Sequence, residues 1–178
     1  MPRLFTAIRL PDAVADGLAP LMAGLRGARW IERDDLHITL RFIGDVDGAT
    51  ADDIAEALAE QQEDNFTLSL TGVDAFGGDS PRSVHATVAP APGLFALQAA
   101  QERMMQRLGL KPERRKYTPH VTLARLRHAN RGEVAFWLSS QGDYRSVEWN
   151  ADAFHLMTAR DSTGGGPYVS VMRVPLTH

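Results

Sequence analysis

Residues 36–40 read LHITL and residues 120–123 read HVTL, one in each half of the 178-residue chain. Each sets a histidine two positions before a threonine among aliphatic neighbours. Successive side chains of a strand point to opposite faces. In a strand, His37 and Thr39 therefore share one face while Leu36, Ile38 and Leu40 share the other, and His120 and Thr122 stand opposite Val121 and Leu123 in the same way. Each segment buries an aliphatic row and offers an imidazole beside a hydroxyl.

The flanking sequence repeats a grammar. Residues 3–10 (RLFTAIRL) alternate like a strand and stop at Pro11. Apolar residues at helical spacing predict a helix over 12–26 with Asp12 as N-cap, and Pro20 inside it predicts a kink or early break. A strand over 36–44 leads to a helix over 50–62 with Thr50 as N-cap. Strands follow at 66–76 and 83–89, separated by the turn-rich GGDSPR. The second half reads as a helix over 94–109, a basic loop, the strand HVTLARL, and a short helix over 131–140. One or two strands over 146–160, a mobile loop DSTGGGP at 161–167, and a final strand YVSVMRVPL complete it.

This order predicts an α+β fold of seven or eight strands and three or four helices: a single domain over residues 1–178. It is expected to form two pseudo-symmetric lobes facing one another across a cleft, each a mainly antiparallel sheet with helices outside. No GxGxxG or P-loop opens a helix, which argues against nucleotide sites of those types.

Composition narrows the class. The chain is 44% hydrophobic and 23% charged with no cysteine, as in ordinary globular proteins and without thiolate chemistry. No membrane-length apolar run and no signal-peptide pattern occur, so the expectation is a cytoplasmic protein, taken as a monomer. Net charge is −3, yet between Arg103 and Arg131 nine Arg and Lys face one acid, Glu113. HVTL lies inside that basic stretch, whose field attracts phosphates.

Two histidines suit a reaction that removes a proton at one point and donates one at another near neutral pH. A zinc site would need three or four ligands, and no acid stands beside either motif on its own face. A Ser or Thr nucleophile would need a sharp turn and a carboxylate behind the histidine. Neither motif supplies these, and Thr39 and Thr122 fit better as donors to phosphate oxygens. The expectation is therefore no metal and no cofactor. A symmetric motif leaves open which histidine is acid and which is base.

The paired His-x-Thr-Leu strands resemble the hallmark of the two-histidine phosphoesterase superfamily. RLFTAIRLP, RWIERDDLHITLRFIGDV, LGLKPERRKYTPHVTLARL and GGGPYVSVMRVPL, in that order, resemble blocks of the RNA 2′,3′-cyclic phosphodiesterases, a group long labelled 2′-5′ RNA ligases. The resemblance implies metal-independent opening of an RNA 2′,3′-cyclic phosphate end, or of a cyclic nucleotide, to a 2′-phosphomonoester. It implies His37 as proton donor, His120 as proton acceptor, Thr39 and Thr122 on the phosphate oxygens, and Arg125 as a phosphate-binding arginine. Strict alternation turns Arg125 away from His120, so it reaches the cleft only if the strand twists, bulges or ends first. Tyr117 is a substrate-binding candidate that either stacks on a base or packs beneath the loop. His85, in SVHATV, is taken as structural or cleft-edge. The rivals are 2′-5′ joining of RNA ends in the same cleft and a binding module without turnover.

Overall fold

The structure, a computed structural model, describes residues 3–159 and 167–177, so the loop expected at 161–167 lies outside them apart from Pro167. Ten strands and four α-helices alternate along the described chain. The first half contains β1 (Arg3–Arg9), α1 (Asp12–Leu18), β2 (Ala28–Trp30), β3 (His37–Asp45) and α2 (Gly48–Glu60). Then come β4 (Phe66–Leu68), β5 (Leu70–Phe76), β6 (Ser83–Val88), α3 (Pro92–Arg107) and β7 (His120–Leu126). The chain closes with α4 (Arg131–Ser140), β8 (Trp149–Ala151), β9 (Ala153–Ala159) and β10 (Tyr168–Pro175).

Where the elements depart from expectation, local chemistry explains it. The helix from Asp12 ends at Leu18 and tightens into a 3-10 turn over Ala19–Leu21 that contains Pro20, because proline lacks the N–H that would continue the ladder. Helix α2 starts two residues earlier than expected. Asp47, not Thr50, is its cap, and its carboxylate accepts from the Thr50 N–H at 2.7 Å. Helix α3 likewise opens early, on Pro92, a residue suited to the first turn. The expected strand 66–76 is cut in two, and its first piece joins β8 in a separate two-stranded sheet.

The remaining strands form one antiparallel sheet in the order β10-β9-β1-β3-β7-β6-β5, with β2 paired to β7. The two histidine strands are thus neighbours at its centre. β3 and β7 meet edge to edge at Ile38↔Val121, and the two halves of the chain interleave around them, β9 and β10 joining beside β1 and β6 and β5 beside β7, so they are not two sheets stacked face to face. Ile38, Leu40, Val121 and Leu123 are all essentially inaccessible and pack with Ile54, Leu58, Leu94 and Met105 from the helices. At about 1.5–3 kcal/mol for each large aliphatic buried, this layer fixes which face of the central strands turns outward. The other face carries the histidines.

Candidate active site

Antiparallel pairing at Ile38↔Val121 carries His37 toward Thr122 and Thr39 toward His120. The four polar side chains form a quartet with the imidazoles on one diagonal. Diagonal positions of neighbouring strands lie about 7–8 Å apart, a span that admits one phosphorus centre between two rings. All four line a cleft of ≈ 470 Å³, whose walls also include Arg3, Phe5, Asp35, Arg115 and Tyr168.

Each ring is oriented by the same device. His37 Nδ1 lies 2.6 Å from the carbonyl of Asp35, and His120 Nδ1 lies 2.6 Å from the carbonyl of Thr118, in both cases two residues back. A carbonyl only accepts, so Nδ1–H donates in each ring and Nε2 is left for the cleft. His37 Nε2 is 3.1 Å from the Thr39 hydroxyl. His120 Nε2 has no such neighbour among the described residues.

The repeated word also contains a bulge. On β7 the partners run His85↔Thr122 and then Val84↔Ala124, so Leu123 is an extra residue. Leu123 and Ala124 are consequently both buried, and Arg125, opposite Ser83, returns to the face of Thr122. That is how Arg125 comes to line the cleft five residues after His120. On β3 the partners run Ala7↔Thr39 and then Thr6↔Arg41, skipping Leu40. Phe42, five residues after His37, therefore also lines the cleft and is 46% exposed. Sequence reasoning missed Phe42; its signal was the shared offset from the two histidines.

Burial pushes both imidazoles below the ordinary value. For His120 the hydrogen bond to Thr118 opposes this and does not overcome it. For His37 the carbonyl and the charge of Asp35 oppose it, while His120 and Arg125 reinforce it. The surroundings differ between the rings. His37 packs against Phe5 and the edge of Tyr168, at 5.2 and 5.0 Å between centroids. His120 meets Phe76 edge-on at 4.9 Å and His85 at 4.9 Å.

His85 is only 3% exposed, stacks on Phe76 at 4.4 Å, and its Nδ1 is buried without a hydrogen-bond partner. Burial, with the His120 charge next and Asp74 opposing, pushes it down to about 4. In the unfolded chain it takes a proton near 6.5. Stability is therefore intact above about pH 6.5 and is lost as pH falls toward 4, because the unfolded state binds the proton first. His85→Phe is expected to narrow the gap in thermal midpoint between pH 7 and pH 4.5; an unchanged gap would show that His85 does not drive acid sensitivity.

Tyr117 stands on the wall of an adjoining hollow, not in the main cleft. Its hydroxyl donates to the Thr39 carbonyl at 2.7 Å and its ring meets Phe95 edge-on at 5.6 Å. It ties the basic loop to the strand of the first histidine. Among the described residues no three His, Cys, Asp or Glu side chains gather as a metal-binding set, and no helix is long and apolar enough to cross a membrane.

Comparison with known proteins identifies relatives of the chain. The family model described as the 2′-5′ RNA ligase superfamily matches residues 10–163. An RNA 2′,3′-cyclic phosphodiesterase of Aeropyrum pernix is 37% identical over 123 residues, which span 68% of this chain and 66% of that protein. One of Archaeoglobus fulgidus is 30% identical over 132 residues, covering 72% and 74%. Among solved structures, a Thermus thermophilus protein aligns over 98% of this chain and 97% of its own, with TM-score 0.81 and 23% identity. E. coli LigT complexed with 3′-AMP aligns over the whole of both chains, with TM-score 0.78 and 24% identity. At such identities the structures speak for the fold, and the curated relatives and the family model for descent. The chain belongs to the 2′-5′ RNA ligase superfamily.

Proposed function

We propose that this protein opens terminal 2′,3′-cyclic phosphates of RNA to 2′-phosphomonoesters by two-histidine acid–base catalysis, without a metal or other cofactor. The carrying observation is the quartet of His37, Thr39, His120 and Thr122 on one sheet face, with both Nδ1 atoms anchored, His37 Nε2 beside the Thr39 hydroxyl and His120 Nε2 left for the cleft. The same reading takes residues 1–178 as one monomeric, cytoplasmic domain of two pseudo-symmetric lobes, each centred on its histidine strand.

His120 Nε2 takes a proton from water as the oxygen attacks phosphorus. The P–O3′ bond breaks on the opposite side, and the 3′ oxygen receives the proton of His37 Nε2. A P–OH bond replaces P–O3′, the 2′ ester remains, and the rings exchange protonation states. Thr39 and Thr122 donate to the non-bridging oxygens, and Arg125 balances their charge. The assignment of acid and base follows the family resemblance: burial lowers both rings, and at His37 the opposing effect of Asp35 is itself countered by His120 and Arg125.

The test is incubation of an oligoribonucleotide ending in a 2′,3′-cyclic phosphate with the protein in excess chelator. The expected outcome is conversion to the 2′-phosphate isomer alone. No turnover, or a 3′-phosphate product, would sink the reading. Adding a 5′-hydroxyl RNA tests joining: water at ~55 M is expected to prevail over an RNA that is not held at high effective molarity.

A further inference from the structure

The cleft continues past the phosphate position. A second hollow of ≈ 340 Å³ shares Thr39, Phe42, Phe76, Arg82, Arg115 and His120 with it and extends beneath the basic loop to Lys116 and Tyr117. We propose, building on the reading of the main cleft as the cyclic-phosphate site, that this annex binds the nucleotide immediately 5′ of the terminal one. The preferred substrate is then an oligoribonucleotide end, not a mononucleotide.

Size, charge and aromatic placement all point this way. Each hollow, ≈ 470 and ≈ 340 Å³, exceeds the ~300 Å³ at which small-molecule sites begin, so the annex is large enough to be a subsite of its own. A cyclic phosphate carries a single charge, and Arg125 with protonated His37 already faces it. Arg82 and Lys116 are exposed, and neither has a carboxylate partner among the described residues. Arg115 reaches Glu113 at 3.3 Å, but an exposed pair in water binds weakly and leaves further guanidinium N–H groups for a phosphate. These three cations suit the phosphodiester that joins the last two nucleotides.

Phe42 belongs to both hollows and is 46% exposed as a residue, and Phe76 is a wall of both as well. An exposed aromatic residue at such a boundary offers a stacking surface that tolerates any base. The annex is also held in shape before anything binds. The Tyr117 hydroxyl is fixed to the Thr39 carbonyl, Arg41 donates to the Lys111 carbonyl at 2.7 Å, and the Glu113 N–H donates to Glu102 at 2.8 Å. A site prearranged in this way loses less freedom on binding.

The experiment is titration calorimetry in chelator, at several salt concentrations, with adenosine 2′-monophosphate and with the diadenylate ending in a 2′-phosphate. The dinucleotide is expected to bind about tenfold more tightly. Its log K should fall more steeply with log salt, by about 0.7 for the one added phosphate. Lys116→Glu, an exposed change, is expected to reduce the advantage to about twofold and remove the added slope. Equal affinity for the two ligands, or a variant that keeps the whole advantage, overturns the subsite. Product binding needs no turnover, so a protein that opens no cyclic end yet prefers the dinucleotide would refute the activity and leave the annex standing.

Discussion

His120→Ala and His37→Ala are each expected to lower kcat/KM on a cyclic-ended oligonucleotide by about 10²–10⁴-fold, the usual worth of a placed acid or base. Both rings are half-buried on the cleft face, outside the aliphatic layer beneath the sheet, although His37 packs on Phe5, so thermal midpoints at pH 7 should fall less than for truncation of a core aliphatic. The pH profile then assigns the roles. In the intact protein the base must be neutral and the acid protonated, which gives a bell. Both rings are pushed below 6.5 in the empty cleft, so the bell in kcat/KM should centre on the acid side of that value. Two rings that sense each other titrate as a pair, and the two limbs are properties of that pair. An anionic phosphate between them favours the charged ring. The falling limb of kcat is therefore expected at higher pH than that of kcat/KM. Residual activity of His120→Ala should lack the rising limb, and that of His37→Ala the falling one. Full activity in either variant would rule out the acid–base pair, and swapped limbs would reverse the assignment.

Much of this site was legible in the sequence because side-chain alternation is a local property. The pairing of His37 with Thr39, and of His120 with Thr122, on one face against an aliphatic row follows from the period of a strand, and the structure has it so. The helix over 131–140 is equally local: Asn130 caps it, with its side-chain oxygen accepting from the Glu133 N–H. What alternation cannot reveal is its own interruption. Nothing in LRF or LAR announces an extra residue, so Phe42 was missed and Arg125 was left conditional on a bulge. Burial of charge is hidden for a related reason. Arg41 looks like a solvent-facing strand residue, yet it is 6% exposed, and what permits this is Glu102 on a helix 61 residues away. The interleaving of the halves in one sheet, β9 beside β1 and β6 beside β7, also rests on pairings between distant segments, and two similar layouts alone do not choose between one shared sheet and two stacked ones.

Glu102→Leu is expected to cost about 3–5 kcal/mol of stability, because it leaves the Arg41 guanidinium buried without its counter-ion. Arg41 Nε donates to Glu102, Nη1 to the Phe42 carbonyl and Nη2 to the Lys111 carbonyl. Burial pushes the Glu102 carboxyl up. Donation from Arg41, the Glu113 N–H and Gln106 outweighs that and holds it ionised below its ordinary range. The stability this contributes is present above the unfolded carboxylate value near 4.5 and is lost as pH falls through the lowered folded one. The double variant Arg41→Met with Glu102→Leu removes both charges, and a buried pair replaced by apolar groups is often close to neutral. It should recover most of the lost stability in urea unfolding. It should not recover activity to the same degree. The pair holds the loop that ends in Thr118, whose carbonyl orients His120, and that carries Tyr117, which braces Thr39. Apolar side chains restore the packing but cannot hold the Lys111 carbonyl or the Glu113 N–H. A double variant stable to within about 1 kcal/mol of the parent yet slower in kcat would separate anchoring of the site from support of the fold. Equal recovery of stability and kcat would show that the pair serves the core alone.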